Sequence, residues 1–395
     1  MKILYLTGSI SSPDNFSALP FIKKRVEALY SYGYITQNIS IVGVYSKILS
    51  SLVRTKYKKY KRVAPKDWNP KFTQNGIEYE VIPYDISLLN FYKVYPNAQT
   101  AYELLRKRVD LSRFDLVHAH WSFPEGVIAN RISKEYNIPY VMTCHGYDIK
   151  VLPNKNKRLK EEILKSLDES SGCIFVSNAL LEEAKKLGYT GNNSYLIPNG
   201  YDPHIFRYVE KPSIRQRLNI YHEGYHYVGY VGNLVKEKGA DRLPAIFHEI
   251  SNSLKTVIFI IVGNGYETEN IKKMTESLSI IYTGRVKYEE VAQYMQSMDI
   301  IILPSRREGW PCVIKEAQAC GTPVIGSNVG GIPEAVGEVG RVVDEGVDFE
   351  KRFAEAVVRE LTLKSLTDEV LRSAEGYTWR EIVLNEIRLY ESIVK

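Results

Sequence analysis

Leu303-Pro304-Ser305-Arg306-Arg307-Glu308-Gly309-Trp310-Pro311-Cys312-Val313-Ile314-Lys315-Glu316-Ala317-Gln318-Ala319-Cys320-Gly321-Thr322-Pro323-Val324 reads as the end of a strand, a glycine-containing loop, a helix opening at Pro311, a stop at Gly321 and a new strand after Pro323. Strand, helix and strand in direct succession build a parallel sheet with helices packed on it. Working outward, the same rhythm continues. Apolar, strand-like runs at 227–232, 256–263, 280–284, 299–305, 323–327 and 341–344 are separated by amphipathic segments of similar length. In the first half, runs at 3–7, 35–44, 77–84, 115–121, 140–145, 173–177 and 195–198 alternate with helical patterns at 20–32, 98–109 and 178–187, the last capped by Ser177. The pattern predicts an α/β protein of two doubly wound, Rossmann-like domains facing a central cleft.

The predicted seam follows Asn199-Gly200-Tyr201-Asp202-Pro203 and leads into a polar, tyrosine-rich, poorly periodic stretch at 206–226. This sets an N-terminal domain at 1–205 and a C-terminal domain at 206–377, with a last amphipathic helix at 378–395. A length of 395 residues, 44% of them hydrophobic and 25% charged, supplies each domain with its own core. The longest apolar runs, 257–262 and 300–303, fall short of the roughly 18 residues that cross a bilayer. The opening Met1-Lys2-Ile3-Leu4-Tyr5-Leu6-Thr7-Gly8 is too short an apolar run for a signal peptide and reads as a buried first strand. Four cysteines without CxxC spacing, Cys144, Cys173, Cys312 and Cys320, read as packed thiols, which fits a cytoplasmic setting.

Ligands of open α/β sheets bind beyond the carboxyl ends of the strands, so the residues just after each strand carry the functional reading. No Gly-x-Gly-x-x-Gly follows the first strand, Gly263-Asn264-Gly265 is only a fragment of it, and no Walker-type motif occurs, which disfavours dinucleotide enzymes and P-loop NTPases. A helix starting at Pro311 aims its first N–H groups at an anion beyond the strand end. Glu308 and Glu316 flank that helix start. Carboxylates repel a diphosphate but accept hydrogen bonds from sugar hydroxyls beside one; the other reading is a pair of solvated surface acids.

At this point the sequence resembles the family-4 retaining glycosyltransferases of GT-B fold, whose signature Glu-x7-Glu is matched by Glu308 and Glu316. DLVHAHWSFPEG (115–126), TCHGYD (143–148), IPNGYD (197–202), YVGNLVKEKGAD (230–241), IIVGNG (260–265), TGRV (283–286) and NVGGIPE (328–334) match in order along nearly the whole chain. The resemblance implies a nucleotide-sugar donor held by the second domain and an acceptor held by the first. It assigns Glu316 to the ribose hydroxyls, Glu308 to the donor sugar, Lys238 to the diphosphate, and the backbone of Gly309, Trp310, Pro311, Cys312 and Val313 to phosphate or sugar. Gly232, Asn233, Gly263 and Gly265 line the donor loops, and Arg285 and Val286 lie where the base is received. His145 is placed near the donor sugar, with a core histidine as the alternative, and the last helix packs back on the first domain.

Two departures from the family matter. Asn233 stands where many relatives carry an arginine, which shifts charge onto Lys238; the other reading of Lys238 is a solvated lysine. The first loop lacks a Gly-Gly pair, and Gly8 and Ser9 are the residues that can fill that position. His118 and His120 share one strand face and read as a metal pair or, in the favoured reading, as acceptor-side or structural groups together with Asp148. No Asp-x-Asp occurs, so no divalent metal and no other cofactor is expected, and fixed donors would stabilise the leaving nucleotide.

Net charge is +6 and uneven: residues 1–205 hold 28 Lys and Arg against 19 Asp and Glu. The acid-free run 47–62 combines an apolar helical face with cations and tyrosines. It reads either as a peripheral contact with an anionic membrane, where a lipid-linked acceptor is presented, or as a solvated loop. Charge without a recognised module does not support nucleic-acid binding. The reading is a glycosyltransferase that moves a hexose-type sugar from a UDP- or GDP-linked donor to a glycan, glycolipid or lipid-linked acceptor. Its alternatives are a nucleotide-sugar epimerase of the same fold and a non-catalytic binding module.

Overall fold

Fourteen strands appear among the described residues: β1 (Lys2–Thr7), β2 (Ile35–Tyr45), β3 (Lys71–Gln74), β4 (Ile77–Ile86), β5 (Leu116–His120), β6 (Tyr140–Cys144), β7 (Gly172–Phe175), β8 (Ser194–Leu196), β9 (His226–Val231), β10 (Val257–Val262), β11 (Ile280–Gly284), β12 (Ile300–Leu303), β13 (Val324–Ser327) and β14 (Arg341–Val343). The computed structural model describes residues 1–8, 20–45, 71–86, 96–363 and 367–394. Ser9 and the basic run 47–62 lie outside the described residues.

The chain divides into two units, Met1–Pro198 with Ile382–Lys395, and Asn199–Glu381. In the first, eight strands run in the order β3-β4-β2-β1-β5-β6-β7-β8, parallel except for the β3–β4 pair. In the second, six parallel strands run in the order β11-β10-β9-β12-β13-β14. Each sheet reverses its winding once, between β1 and β5 in one and between β9 and β12 in the other. Such a reversal leaves a crevice at the strands' carboxyl ends. The continuous apolar character of β10 and β12 follows from burial on both faces; every residue of β5 and β6 is buried as well, including His118, His120 and Thr143. In the second unit the helices Leu243–Ser253 and Phe349–Leu363 bring Phe247 and Phe353 into a core with Phe259 and Ile302, with Phe247 and Phe259 stacked at 4.1 Å.

Three differences from the sequence reading have local causes. The edge strand β3 pairs antiparallel with β4 through Asn75 and Gly76, both at positive φ (54° and 77°). Asn-Gly is the two-residue turn that suits a hairpin, and its polar flanks hid it. The stretch 206–226 contains a helix, Lys211–Arg217, opened by Pro212 in its first turn. The seam falls at Pro198 and Asn199 rather than after residue 205, because Tyr201 bridges Thr378 and Gly200 lies against the backbone of Tyr377 and Trp379, all in the second unit. The last helix, Trp379–Ile393, is capped by Thr378, whose Oγ1 accepts from Glu381 N at 3.3 Å while Glu381 accepts in return. From Ile382 onward it counts with the first unit, against the expected start of 378.

Candidate active site

At the winding reversal of the second sheet, three loops interlock through glycines. A Cβ on Gly263 would collide with Gly232 O, one on Gly265 with Leu234 O, and one on Gly239, held at φ +66°, with Pro304 O. The loops after β9, β10 and β12 therefore touch backbone to backbone, and Gly263 N donates to Gly284 O (2.9 Å), tying in β11 as well. Arg242 secures the same junction by donating to Pro304 O (3.0 Å) and, bidentately, to Glu345 (2.9 and 2.6 Å).

On this platform Lys238 and Glu308 meet. The short turn Lys236–Lys238 delivers the ammonium to both oxygens of Glu308, each at 2.7 Å, and Ser305 Oγ donates to Oε1 at 3.0 Å. Glu308 is buried while Lys238 remains about one-third exposed. Two of the three ammonium N–H directions are spent on Glu308 and one remains for another acceptor. The sequence reading gave these residues separate tasks; the structure makes them one pair, with Glu308 orienting Lys238.

The helix Cys312–Ala319 starts one residue later than expected, with Pro311 as its extended N-cap and no side chain capping it. Cys312 and Val313, in its first turn, are half-buried, as is Gly309 in the loop. Trp310 is buried: its ring stacks on Tyr377 at 5.7 Å and its Nε1 donates to Asn199 O at 3.1 Å. Its side chain is thus occupied in packing, which leaves its backbone for ligand contact. Glu316, about one turn into the helix, is 8% exposed and accepts a 2.7 Å hydrogen bond from the Tyr288 hydroxyl. Burial pushes its carboxyl up to about 7, and the Tyr288 bond pulls the other way. Asn233 and Arg285 are exposed and Val286 is half-buried.

In the first unit, the equivalent reversal gathers histidines. His118 and His120 are fully buried on β5 and stacked at 4.5 Å. Both ring nitrogens of His118 are engaged, Nδ1 with Tyr390 OH (2.6 Å) and Nε2 with Thr143 Oγ1 (2.8 Å), so the metal-pair reading fails on donor availability. His120 Nδ1 meets His145 Nε2 at 2.9 Å, and His145, just after β6, also contacts the rings of Phe21 and Trp121. Burial, then the nearby Arg25 charge, drives the His145 pKa well below its ordinary value, so His145 is neutral at pH 7. Asp148 is fully buried and its carboxylate accepts from the N–H groups of Ser122 (3.0 Å), His145 (3.1 Å) and Gly146 (2.8 Å). It anchors the loops after β5 and β6, and His118 anchors the last helix. Gly8 follows β1 and lies against Glu125, whose Oε1 would lie 2.7 Å from a Cβ at Gly8. Glu125 is buried and its carboxyl is pushed up to about 8 by that burial.

Tyr288, Ser305, Arg242 and Glu125 were missed by sequence reasoning. Ser305 alone carried a signal, lying two residues after β12 and three residues before Glu308; the other three act through partners distant in the chain.

Residues 225–362 match the family described as "Glycosyl transferases group 1" and residues 61–205 match "Glycosyltransferase Family 4". The chain belongs to the family-4 glycosyltransferases. TuaC of Bacillus subtilis, a glycosyltransferase attributed to teichuronic acid biosynthesis, is 29% identical over 100% of this chain and 94% of its own. The N-acetyl-alpha-D-glucosaminyl L-malate synthase of Bacillus anthracis is 26% identical over 76% of this chain and 78% of its own. Among solved structures, sucrose-phosphate synthase from Thermosynechococcus elongatus superposes with a TM-score of 0.76 at 18% identity, covering 100% of this chain and 99% of that one. Anabaena HepE in complex with UDP and glucose gives 0.70 at 17%, covering 99% and 100%. These likenesses establish the GT-B fold for this glycosyltransferase. Among the described residues no helix is long and apolar enough to cross a membrane.

Proposed function

We propose that this glycosyltransferase transfers a hexose-type sugar, with retention and without a divalent metal, from a UDP- or GDP-linked donor to a hydroxyl of a glycan, glycolipid or lipid-linked acceptor. The observation that carries the donor reading is the Lys238–Glu308 pair beside a helix start, with buried Glu316 eight residues further on. The ammonium and the helix's first amides stabilise the diphosphate as the bond from the anomeric carbon to its oxygen breaks. The new bond to the acceptor oxygen forms on the same face of the sugar, and the acceptor's proton leaves on the departing phosphate oxygen. A relative from Corynebacterium glutamicum is named a GDP-mannose-dependent mannosyltransferase, and HepE was solved with UDP-glucose; each supports one of the two bases.

The test is turnover across UDP-, GDP- and ADP-sugars, with and without EDTA. Lys238→Ala is expected to lower kcat by about 100-fold or more, the usual scale for losing one preorganised donor to a developing anion. Glu316→Ala is expected to raise the donor KM chiefly. Undiminished turnover in both variants would remove the donor-site assignment, and loss of activity in EDTA that Mg2+ restores would remove metal independence. For the acceptor side, residues 47–62 are proposed to contact anionic membrane. Sedimentation with phosphatidylserine vesicles but not with phosphatidylcholine ones is expected; equal recovery from both would argue against the contact.

A further inference from the structure

Glu316 is held by a residue that neither the sequence reading nor any relative's name points to. Tyr288 opens the helix Tyr288–Ser297, directly after Gly284-Arg285-Val286, and the helix start is fixed by Lys287 N donating to Glu290 Oε2 at 2.8 Å. Its ring meets buried Phe206 edge-on, at 5.1 Å and 77°. Its hydroxyl donates to Glu316 Oε1 at 2.7 Å, and among the described residues Oε2 has no hydrogen-bond partner. The terminal torsion of a glutamate is broad, so an unpinned carboxylate presents its oxygens in many planes. A vicinal diol is recognised by two acceptor sites in one plane, which requires that torsion to be set beforehand.

We propose that Tyr288 is a positioning residue of the donor site: its hydroxyl pins Oε1 of Glu316 so that the carboxylate offers a fixed acceptor plane to the two ribose hydroxyls of a nucleoside diphosphate. Tyr288 thereby sets the site's preference for ribose over deoxyribose. The bond links the loop after β11 to the helix after β12, so two segments distant in the chain define one recognition angle. This inference rests on the nucleotide-sugar reading given above.

Calorimetric titration with UDP, GDP and ADP, each against its 2′,3′-dideoxy form, tests it in the full chain. The wild type is expected to prefer the ribose form of its base. Tyr288→Phe, which deletes one oxygen, is expected to cut that preference by about 10-fold, the usual consequence of losing a hydrogen bond to a charged group, while leaving dideoxy affinity within about twofold. Phe206→Leu keeps the hydroxyl but unseats the ring, and is expected to cut the preference by a smaller factor. Equal weakening of ribose and dideoxy forms, or an unchanged preference in these variants, would reduce Tyr288 to helix packing and overturn the inference. Failure of the wild type to bind any of the three diphosphates would instead overturn the donor reading itself.

Discussion

Glu316 shows how burial changes the chemistry of one carboxyl. Its pKa, pushed from 4.5 up to about 7, means that the folded chain takes up a proton more readily than the unfolded one between those values. Folding stability from this group therefore falls as pH rises from about 4.5 to 7, by at most roughly 3 kcal/mol. Glu316→Gln keeps an acceptor for Tyr288 and abolishes the titration. The variant should exceed the wild type in urea resistance at pH 8, with the gap closing near pH 4.5; a variant weaker at pH 8 would contradict the assignment. The ionised form is also the better acceptor for hydroxyls, so nucleotide affinity should decline as pH drops below 7. Glu308 and Glu316 were both visible in the sequence as a spaced pair. Their unequal situations were not: one is bonded to an ammonium and the other to a phenol, because those partners arrive from Lys238 and Tyr288 in separate segments.

Elements were more legible than contacts. The helix 178–187 and its Ser177 cap were readable because Oγ of Ser177 accepts from Leu180 N (3.3 Å), a bond between near neighbours in the chain. The hairpin at Asn75-Gly76 was equally local but was overlooked because its outer strand, β3, is short and polar and lies at the sheet edge. Between elements, the loop junction around Gly239 is the sensitive point. Gly239→Ala has to adopt φ +66° and also displace Pro304 O, so a loss of about 2–4 kcal/mol is expected, together with loss of donor turnover. Denaturant unfolding checks the first and the sugar-nucleotide assay the second. A stable, active variant would mean that the loops after β9 and β12 are not locked together.

Across the whole molecule, each unit has its own sheet, core and winding reversal, and the chain's last helix returns to the first unit. There Arg25 and Glu386, both fully buried, pair at 2.7 Å, and Tyr390 donates to Glu386 (3.1 Å) while its hydroxyl also meets His118. Removing one partner leaves a buried charge uncompensated, so Glu386→Ala should cost about 3–5 kcal/mol and lower the melting temperature. Retained thermal stability would show that the pair is dispensable. Periodicity alone yielded two parallel-sheet domains and placed Glu308 and His145 beyond strand ends and His118 and His120 on one strand face, because alternation of apolar runs reflects burial along a continuous stretch of chain. Which carboxyl pairs with the lysine, which histidine carries structure and which glutamate keeps a proton near neutrality were settled by packing. Those properties depend on the depth and neighbours of each group, and the neighbours come from segments that meet only after the sheets have formed.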